Sequence, residues 1–258
     1  MKRTIIKFNS EEKIVGVWHT PKEKSTKAII LAHGITVDKD EDGVFVDLAN
    51  SLSDKGYSVF RFDFRGHGES SGESVDFSVN WEIEDLKVVV KYVEDEGYKE
   101  IGLLGASYGG SSTTVYSAKH LSKNIKCLCL WNPVLNYDHT FLNPTLPWIK
   151  EKKEHMQKDI AKKGWTTLGS RKFVLGKSFF DTMKNLFPYQ LLSNIKIPTL
   201  IVHGTKDTKV PYDDSVEYVK NLENGVLQTV KDAEHGFHED WEYAIAEKTT
   251  IEFFLKYL

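Results

Sequence analysis

Residues 101–110 read IGLLGASYGG, and the fold of the whole chain is interpreted outward from this stretch. An apolar run ends at Gly105, Ser107 follows two residues later, and a segment of helical character begins at Ser111. This order of strand, sharp turn and helix places the Ser107 hydroxyl at the tip of the turn, clear of the sheet. Glycine fits at 105 and 109 because strand and helix approach closely there. The pattern indicates a nucleophilic serine; an ordinary turn with a serine N-cap is the alternative.

The composition is that of a single globular α/β domain with an insertion. The chain has 258 residues, of which 40% are apolar and 28% charged. A formal net charge of -3 gives no electrostatic reason to expect binding to nucleic acid or to an anionic membrane. The basic N-terminus lacks a following apolar segment, and no apolar run is long enough to span a bilayer. We therefore expect a cytoplasmic protein without membrane insertion.

Short apolar runs alternate with helical spacing along most of the chain. Two strands around a polar turn, 4–8 and 14–20, predict an antiparallel hairpin. Further buried strands are predicted at 28–32, 58–62, 101–105, 125–131, 199–204 and 226–230. Helices are predicted at 44–55, 81–96, 111 to about Leu121, and 243–258. Strands alternating with helices imply a mostly parallel sheet that is covered by helices on both faces.

One segment departs from this alternation and is predicted to be an inserted cap. We divide the chain into a core of residues 1–134 and 194–258 and a helical cap, or lid, of residues 135–193. Within the cap, helices are predicted at 148–162 and 178–187, and residues 172–175 are the candidate for a short edge strand. The cap is expected to lie over the sheet edge where open α/β sheets bind ligands, and a peripheral helical pair packed on the sheet is the alternative. Its aromatic residues either contact substrate or pack the cap; Trp148 and Phe180 are the candidates for substrate contact.

A serine hydroxyl becomes a good nucleophile only when a base takes its proton and an acid orients that base. Asp207 follows the strand 199–204, and His235 follows the strand 226–230. Both therefore lie at the same sheet edge as Ser107, in the chain order serine, aspartate, histidine. Other residues compete for each role: Asp213, Asp214 and Asp232 for the acid, and His33, His203 and His238 for the base.

The tetrahedral intermediate of such a reaction needs backbone N–H groups that face its oxyanion. Tyr108, the residue after the nucleophile, is expected to supply one. Ile35 is expected to supply the other, because it follows a buried strand and Gly34 allows the backbone to approach closely.

Other features of the sequence are predicted to be structural. Cys127 and Cys129 are two apart on one strand, where a disulfide would be badly strained, and they read as small buried apolar residues. The loop Gly66–Gly68 lacks the residues of a phosphate-binding motif, so His67 is expected to be packed or hydrogen-bonded. No spacing of cysteine and histidine suggests a zinc site, and no metal is expected.

Taken together, these motifs resemble the α/β-hydrolase superfamily over essentially the whole chain. The matching segments are 33–34, 63–70, 105–110, 203–207 and 234–237, in this order. Within the superfamily, the length and the cap position are similar to the small bacterial cinnamoyl and feruloyl esterases and to related monoacylglycerol-lipase and serine-aminopeptidase-type hydrolases. The segment 187–190 leading into 197–198 is similar to the end of the cap in those esterases.

This resemblance implies an eight-stranded sheet, no cofactor, and hydrolysis through an acyl-enzyme. We expect a serine carboxylesterase that acts on small to medium acyl or aryl esters of the hydroxycinnamoyl type. A serine peptidase or amidase and a monoacylglycerol lipase are the alternatives. The residue after the serine departs from many of these esterases, which have Gln or Met where this chain has Tyr108. A peptidase would need a carboxylate for a free amine, with Glu151, Glu154 and Asp181 as candidates, and the sequence leaves a homodimer open.

Overall fold

The computed structural model of the protein describes residues 1–120 and 122–258. Ten strands are present in these ranges: β1 (Lys2–Lys7), β2 (Lys13–His19), β3 (Lys27–Ala32), β4 (Ser58–Phe62), β5 (Glu100–Ala106), β6 (Ile125–Trp131), β7 (Trp165–Leu168), β8 (Phe173–Gly176), β9 (Thr199–Gly204) and β10 (Gly225–Val230). The α-helices in these ranges are α1 (Val44–Asp54), α2 (Val79–Asp95), α3 (Ser107–His120), α4 (Pro147–Lys150), α5 (Lys153–Lys163), α6 (Lys177–Met183), α7 (Pro188–Leu191), α8 (Tyr212–Tyr218) and α9 (Asp240–Tyr257). None of them combines the length and the apolar character needed to cross a membrane. The end predicted for α3, at about Leu121, lies outside the described residues.

Eight strands form one sheet in the order β1-β2-β4-β3-β5-β6-β9-β10. β1 pairs with β2, and β2 with β4, in antiparallel register, while all other neighbours are parallel. The mostly parallel, eight-stranded sheet is therefore confirmed, as is the N-terminal hairpin. Parallel pairing brings the carboxyl ends of β3, β5, β9 and β10 to one edge of the sheet, where the loops that follow them meet.

The central strands of the sheet are buried on both faces because helices cover each of them. On β3, Ile30 faces a cluster that includes residues of α2 and α3, while Ile29 and Leu31 face residues of α1 and α9. This alternation explains why the strand reads as a continuous apolar run instead of alternating with polar residues. Burying each such side chain stabilises the fold by about 1.5–3 kcal/mol. Cys127 and Cys129 share the α9 side and are buried and free.

The segment 135–193 packs on the core through a third apolar cluster, to which the cap contributes Phe141, Ile149 and Phe179. Two expectations about its strands were incomplete. The strand predicted at 172–175 is present as β8, but it pairs with β7, which was not predicted. The two form a separate antiparallel hairpin and not an edge of the main sheet.

The helices of this segment also differ from the sequence prediction. The helix expected at 148–162 is divided into α4 and α5, because the Lys152 N–H bonds to the carbonyl of Ile149, three residues back. The helix expected at 178–187 is α6, which ends at Met183. Phe187 precedes Pro188 and is not helical, with φ of -125° and ψ of 89°, because the proline ring disfavours the helical conformation for the residue before it.

Candidate active site

Ser107 is the first residue of α3 and forms the strained turn that directly follows β5, so the helix begins four residues before the start predicted at Ser111. Its φ of 52° is in the left-handed region, which is unfavourable for a residue with a Cβ atom. The glycines on either side are needed for close packing. A Cβ on Gly105 would lie 2.6 Å from the carbonyl oxygen of Gly109, and a Cβ on Gly109 would lie 2.7 Å from that of Ala32. The turn therefore has the geometry predicted for it, and the serine projects from the carboxyl edge of the sheet.

The structure brings the three predicted catalytic side chains into one hydrogen-bonded chain. Nε2 of His235 lies 3.1 Å from Oγ of Ser107, and Nδ1 of His235 lies 2.7 Å from Oδ2 of Asp207. Asp207 follows β9 and His235 follows β10, so these adjacent parallel strands deliver both residues to the same edge. The order and spacing allow a proton to pass from the serine to the imidazole.

Asp207 is fully buried, and each of its carboxylate oxygens accepts two hydrogen bonds. Oδ1 accepts the backbone N–H groups of Lys209 and Val210, at 2.8 and 2.7 Å. Oδ2 accepts from His235 and, at 3.2 Å, from Nε2 of His203. Burial by itself would raise the pKa of Asp207. The charge of His235 and the hydrogen bonds from both imidazoles outweigh it and hold the pKa below its ordinary value.

His203 has a supporting position that the sequence prediction missed. In the sequence it is only a competitor for the role of the base, but it is buried, and its Nε2 lies 3.2 Å from Oδ2 of Asp207, the oxygen that His235 also contacts. Its Nδ1 lies 2.7 Å from Oγ of Ser215. With the proton on Nε2, His203 donates to the carboxylate and accepts from the serine hydroxyl. The signal in the sequence is its place near the end of β9, four residues before Asp207.

The other competing acids and bases are engaged elsewhere. The Asp214 carboxylate pairs with His139 at 2.7 Å, Asp232 pairs with Lys206 at 3.1 Å, and Asp213 is exposed on α8. His238 is exposed at the rim of the cavity beside Ser107, and its imidazole makes no hydrogen bond to the serine.

The loop that carries Ile35 runs directly beside Ser107. A Cβ on Gly34 would lie 3.2 Å from Cβ of Ser107. Among the described residues, no protein group accepts a hydrogen bond from the backbone N–H of Ile35 or of Tyr108. Both amides therefore have the unpaired donor that an oxyanion would require. The Tyr108 ring is buried in the cluster beneath the cap and does not line the cavity beside Ser107.

Two buried histidines hold this loop in place. Nε2 of His67 donates to the carbonyl of Ile35 at 2.7 Å, and Nδ1 of His33 donates to the carbonyl of Gly34 at 2.8 Å. Burial lowers the pKa of His33 to about 4 and that of His67 to about 3. At neutral pH both rings are therefore uncharged and act as fixed donors. His67 is hydrogen-bonded, as expected, and supports the loop.

The glycine-rich loop Gly66–Gly68 is held by a carboxylate. Gly68 packs against Asp63, whose Oδ2 accepts the Glu69 N–H at 2.9 Å and the Lys39 ammonium at 3.1 Å. The loop amide thus bonds within the protein, which agrees with a structural turn. Nowhere in the described ranges do three His, Cys, Asp or Glu side chains cluster in a way that would hold a metal ion.

A cavity of about 250 Å³ opens beside Ser107 and lies between the core and the cap. Its walls include Gly34, Ile35, Thr36, Val37, Glu41, Asp42, Ser107, Trp148, Gly169, Ser170, Arg171, Lys209, His235, Gly236 and His238. Trp148 is thus part of the cavity wall, and its indole N–H donates to the carbonyl of Lys209 at 2.6 Å. Phe180 is elsewhere. It lines what we call the cap groove, a cavity of about 490 Å³ between α5 and α6.

Arg171, in the turn between β7 and β8, connects the cap to the core at the cavity wall. Its guanidinium pairs with the Asp42 carboxylate and donates to the carbonyl of Thr36 at 3.1 Å. These contacts attach the β7–β8 hairpin of the cap to the core at the wall of the cavity.

Glu41 is a cavity residue that the sequence prediction did not single out. Its Oε2 accepts the Gly34 N–H at 2.7 Å, next to the Ile35 amide. Its backbone is left-handed, with φ of 45°, and so is that of Asp42. Burial raises the pKa of Glu41 to about 7, against the lowering effect of the Gly34 hydrogen bond. The only signal in the sequence is the segment 38–42, DKDED, which is rich in acidic residues and follows Ile35 closely.

An eight-stranded, mostly parallel sheet with a serine turn after β5 and an aspartate and a histidine after β9 and β10 defines the α/β-hydrolase class. Within that class, the chain belongs to the family described as "Serine aminopeptidase, S33", whose model matches residues 23–242. It is a serine hydrolase of the α/β-hydrolase fold.

Individual proteins support the same fold. The chain is 26% identical over 217 residues to the mouse serine hydrolase BPHL, covering 82% of this chain and 74% of that protein. The structure of Est1E from Butyrivibrio proteoclasticus with bound ferulic acid superimposes with a TM-score of 0.83, at 23% identity and 98% coverage of both chains. An esterase from Pyrococcus furiosus gives a TM-score of 0.78, at 23% identity, covering 99% of this chain and 91% of the esterase. At these sequence identities, the structural similarity establishes the fold of this chain and nothing more specific.

Proposed function

We propose that the protein is a serine carboxylesterase that acts through an acyl-enzyme on small to medium acyl or aryl esters, including hydroxycinnamoyl-type esters. The observation that carries this proposal is the hydrogen-bonded chain from Ser107 through His235 to Asp207 beside an open cavity. This arrangement supplies a nucleophile, a base and an orienting acid.

In the first half of the reaction, Oγ of Ser107 attacks the ester carbonyl while Nε2 of His235 accepts the hydroxyl proton. Asp207 holds the imidazole through Nδ1 and stabilises the positive charge that the ring acquires. The carbonyl oxygen becomes an oxyanion, which receives hydrogen bonds from the N–H groups of Ile35 and Tyr108. Loss of one such donor typically costs about 10²–10³-fold in rate.

In the second half, the proton on Nε2 of His235 passes to the leaving alcohol as the carbon–oxygen bond breaks, which leaves Ser107 acylated. A water molecule then gives a proton to His235 and attacks the acyl carbon. The second tetrahedral intermediate collapses, the proton returns to Ser107, and the carboxylic acid is released.

The cavity beside Ser107 supports the proposed substrate size. Its volume of about 250 Å³ is just below the range of about 300–1,000 Å³ that is usual for ligand sites, which favours compact acyl or aryl groups. The Trp148 side chain in its wall offers an aromatic face to such a group. Of the two candidates, we therefore assign substrate contact to Trp148 and not to Phe180, which lines the cap groove.

A peptidase or amidase is the second candidate, and one observation favours it. The cavity wall contains the acidic side chains of Glu41, whose pKa is about 7, and of Asp42, which pairs with Arg171. Ionised Glu41 would supply the carboxylate that a substrate with a free ammonium group needs nearby. The acidic cap residues first considered for this role do not line this cavity: Glu151, Glu154 and Asp181. The same chemistry would also serve a monoacylglycerol lipase.

Activity across a substrate panel tests the proposal. The panel contains p-nitrophenyl esters from acetate to laurate, methyl ferulate, a monoacylglycerol, and aminoacyl p-nitroanilides. We expect hydrolysis of the shorter esters and of methyl ferulate, and a loss of at least ~10⁴-fold in kcat for Ser107→Ala. Labelling of Ser107 by a fluorophosphonate probe should be lost in the same variant.

Two results would change the assignment. Equal rates for the wild type and Ser107→Ala would reject the serine mechanism. Preference for aminoacyl substrates, lost in Glu41→Gln while ester hydrolysis persists, would favour the peptidase.

A further inference from the structure

We propose that the cap groove is a separate binding site for the anion of an aliphatic carboxylic acid, with Lys153 holding the carboxylate. This inference does not depend on the proposed esterase activity, because it concerns a different cavity.

The interior of the cap groove is apolar. Phe141, Ile149 and Met156 form its floor, and each is almost fully buried. Ile160 on α5 and Phe180 on α6 are half-buried and form opposite walls. An extended hydrocarbon chain placed between these helices would be removed from water, at about 25 cal/mol for each Å² of apolar surface covered.

The rim of the groove is positively charged. Lys177 and Lys184 both pair with the single carboxylate of Asp181. Lys153, at the rim on α5, donates instead to the neutral side-chain oxygen of Asn143 at 2.9 Å. Of the Asp and Glu side chains in the described ranges, none comes within 4.0 Å of the Lys153 ammonium. A ligand carboxylate would supply the counter-charge that Lys153 lacks.

The charge of the whole cap favours an anion as well. Residues 135–193 contain ten Lys and Arg against five Asp and Glu, a formal charge of +5, although the full chain carries -3. The remainder of the chain is therefore at -8, and the cap is the side of the molecule that attracts anions. Among the described residues that line the groove, Lys153 is the cation without an acidic partner, which fits a ligand with one anionic head and one apolar chain.

The cap groove is separate from the cavity beside Ser107. No residue lines both, and α4 lies between them, with Trp148 facing the catalytic cavity and Ile149 facing the groove. A ligand in the groove would consequently leave Ser107 accessible.

Calorimetric titration of the full-length Ser107→Ala protein with decanoate tests this proposal. We expect one site, and a Lys153→Gln variant that binds decanoate about three- to tenfold more weakly. Decanol, which has no charge, should bind weakly and equally to both proteins. Lys158→Gln is the matched control, because Lys158 is on the same helix, is exposed, pairs with Glu154 and does not line the groove.

A second variant tests the apolar part of the site. Ile160→Glu places a carboxylate in the groove wall and should abolish decanoate binding, with circular dichroism to establish that the variant is folded. If it does not fold, the comparison of Lys153→Gln with Lys158→Gln still decides the question.

Three outcomes would overturn the proposal. The first is equal decanoate affinity in the Lys153 and Lys158 variants. The second is loss of decanoate binding when wild-type Ser107 is labelled with a fluorophosphonate, which would place the acid in the catalytic cavity. The third combines two results for the Ser107→Ala protein: it does not bind decanoate, but it sediments with phosphatidylglycerol vesicles. That pair of results would make the groove a membrane contact.

Discussion

The carboxyl edge of the sheet and the cap hold their charged groups in opposite ways. At the edge, Asp207 is fully buried and accepts four hydrogen bonds, two of them from backbone N–H groups. In the cap, Lys177, Lys184 and Asp181 pair with one another at the surface through long side chains. Fixed, water-excluded partners suit a reaction whose geometry must not vary. Exposed, single ion pairs contribute little to stability and can exchange partners for a ligand.

The largest effect should come from Asp207→Asn. An amide at this position favours the wrong tautomer of His235, so we expect kcat for a p-nitrophenyl ester to fall by about 10⁴-fold. The matched control is Asp232→Asn, since Asp232 competed for the same role but is exposed and pairs with Lys206. A similar loss in both variants would mean that the acid has been wrongly assigned.

A smaller effect is expected from His203→Phe, which removes one donor from Asp207. A hydrogen bond to a charged group is worth about 1.5–3 kcal/mol, so kcat should fall roughly 10- to 100-fold with little change in KM. His203→Gln retains an N–H donor and should recover most of the activity. If Phe and Gln variants are equally impaired, the histidine acts through packing and not through its hydrogen bond.

Glu41→Gln should change how stability depends on pH. The pKa of Glu41 is about 7 in the folded protein and 4.5 for an unperturbed side chain, so the folded state keeps the proton between these values. The free energy of unfolding therefore falls as pH rises through this window. Glutamine cannot ionise, so the free energy of unfolding of Glu41→Gln should not show this fall. Relative to the wild type, the stability of the variant should therefore rise by about 1–3 kcal/mol when the pH goes from below 4.5 to above 7.

Urea unfolding at both ends of the window measures this difference. Glu154→Gln is the control, because the Glu154 side chain is 82% exposed. Parallel pH profiles for Glu41→Gln and the wild type would argue against a protonated Glu41.

The smallest effect should come from Arg171→Gln. The ion pair with Asp42 is half-exposed, so its loss should cost at most about 1 kcal/mol of stability. Because Arg171 forms part of the cavity wall, we expect KM to rise about two- to fivefold while kcat is retained. Lys172→Gln, one residue along, serves as the control. A loss in kcat that exceeds the change in KM would point to a direct role in the reaction.

The difference between the sheet edge and the cap also explains which parts of the structure could be predicted from the sequence. β3 and β9 are buried on both faces and read as continuous apolar runs, so their positions could be predicted closely. Since parallel strands end at one edge, the residues after β5, β9 and β10 could be expected to meet. The meeting of Ser107, Asp207 and His235 could be predicted from the glycine–serine motif, the strand ends and the chain order known for the α/β-hydrolases.

The cap and the supporting contacts could not be predicted in this way. β7 is four residues long and is stabilised by pairing with β8, which no local pattern reveals. The cap helices are short, and their ends depend on how they pack on the core. The position of Glu41 depends on consecutive left-handed residues, and that of His203 on the burial of Asp207. These are consequences of tertiary structure and not of sequence periodicity.

The attachment of Arg171 has a mechanical consequence. The Arg171 guanidinium donates a hydrogen bond to the carbonyl of Thr36, the residue that follows Ile35. If the β7–β8 hairpin moved away from the mouth of the cavity, this hydrogen bond would pull on the backbone segment that carries the Ile35 N–H. In the proposed mechanism, movement of the cap hairpin and the position of the Ile35 N–H would therefore be coupled through the Arg171 side chain.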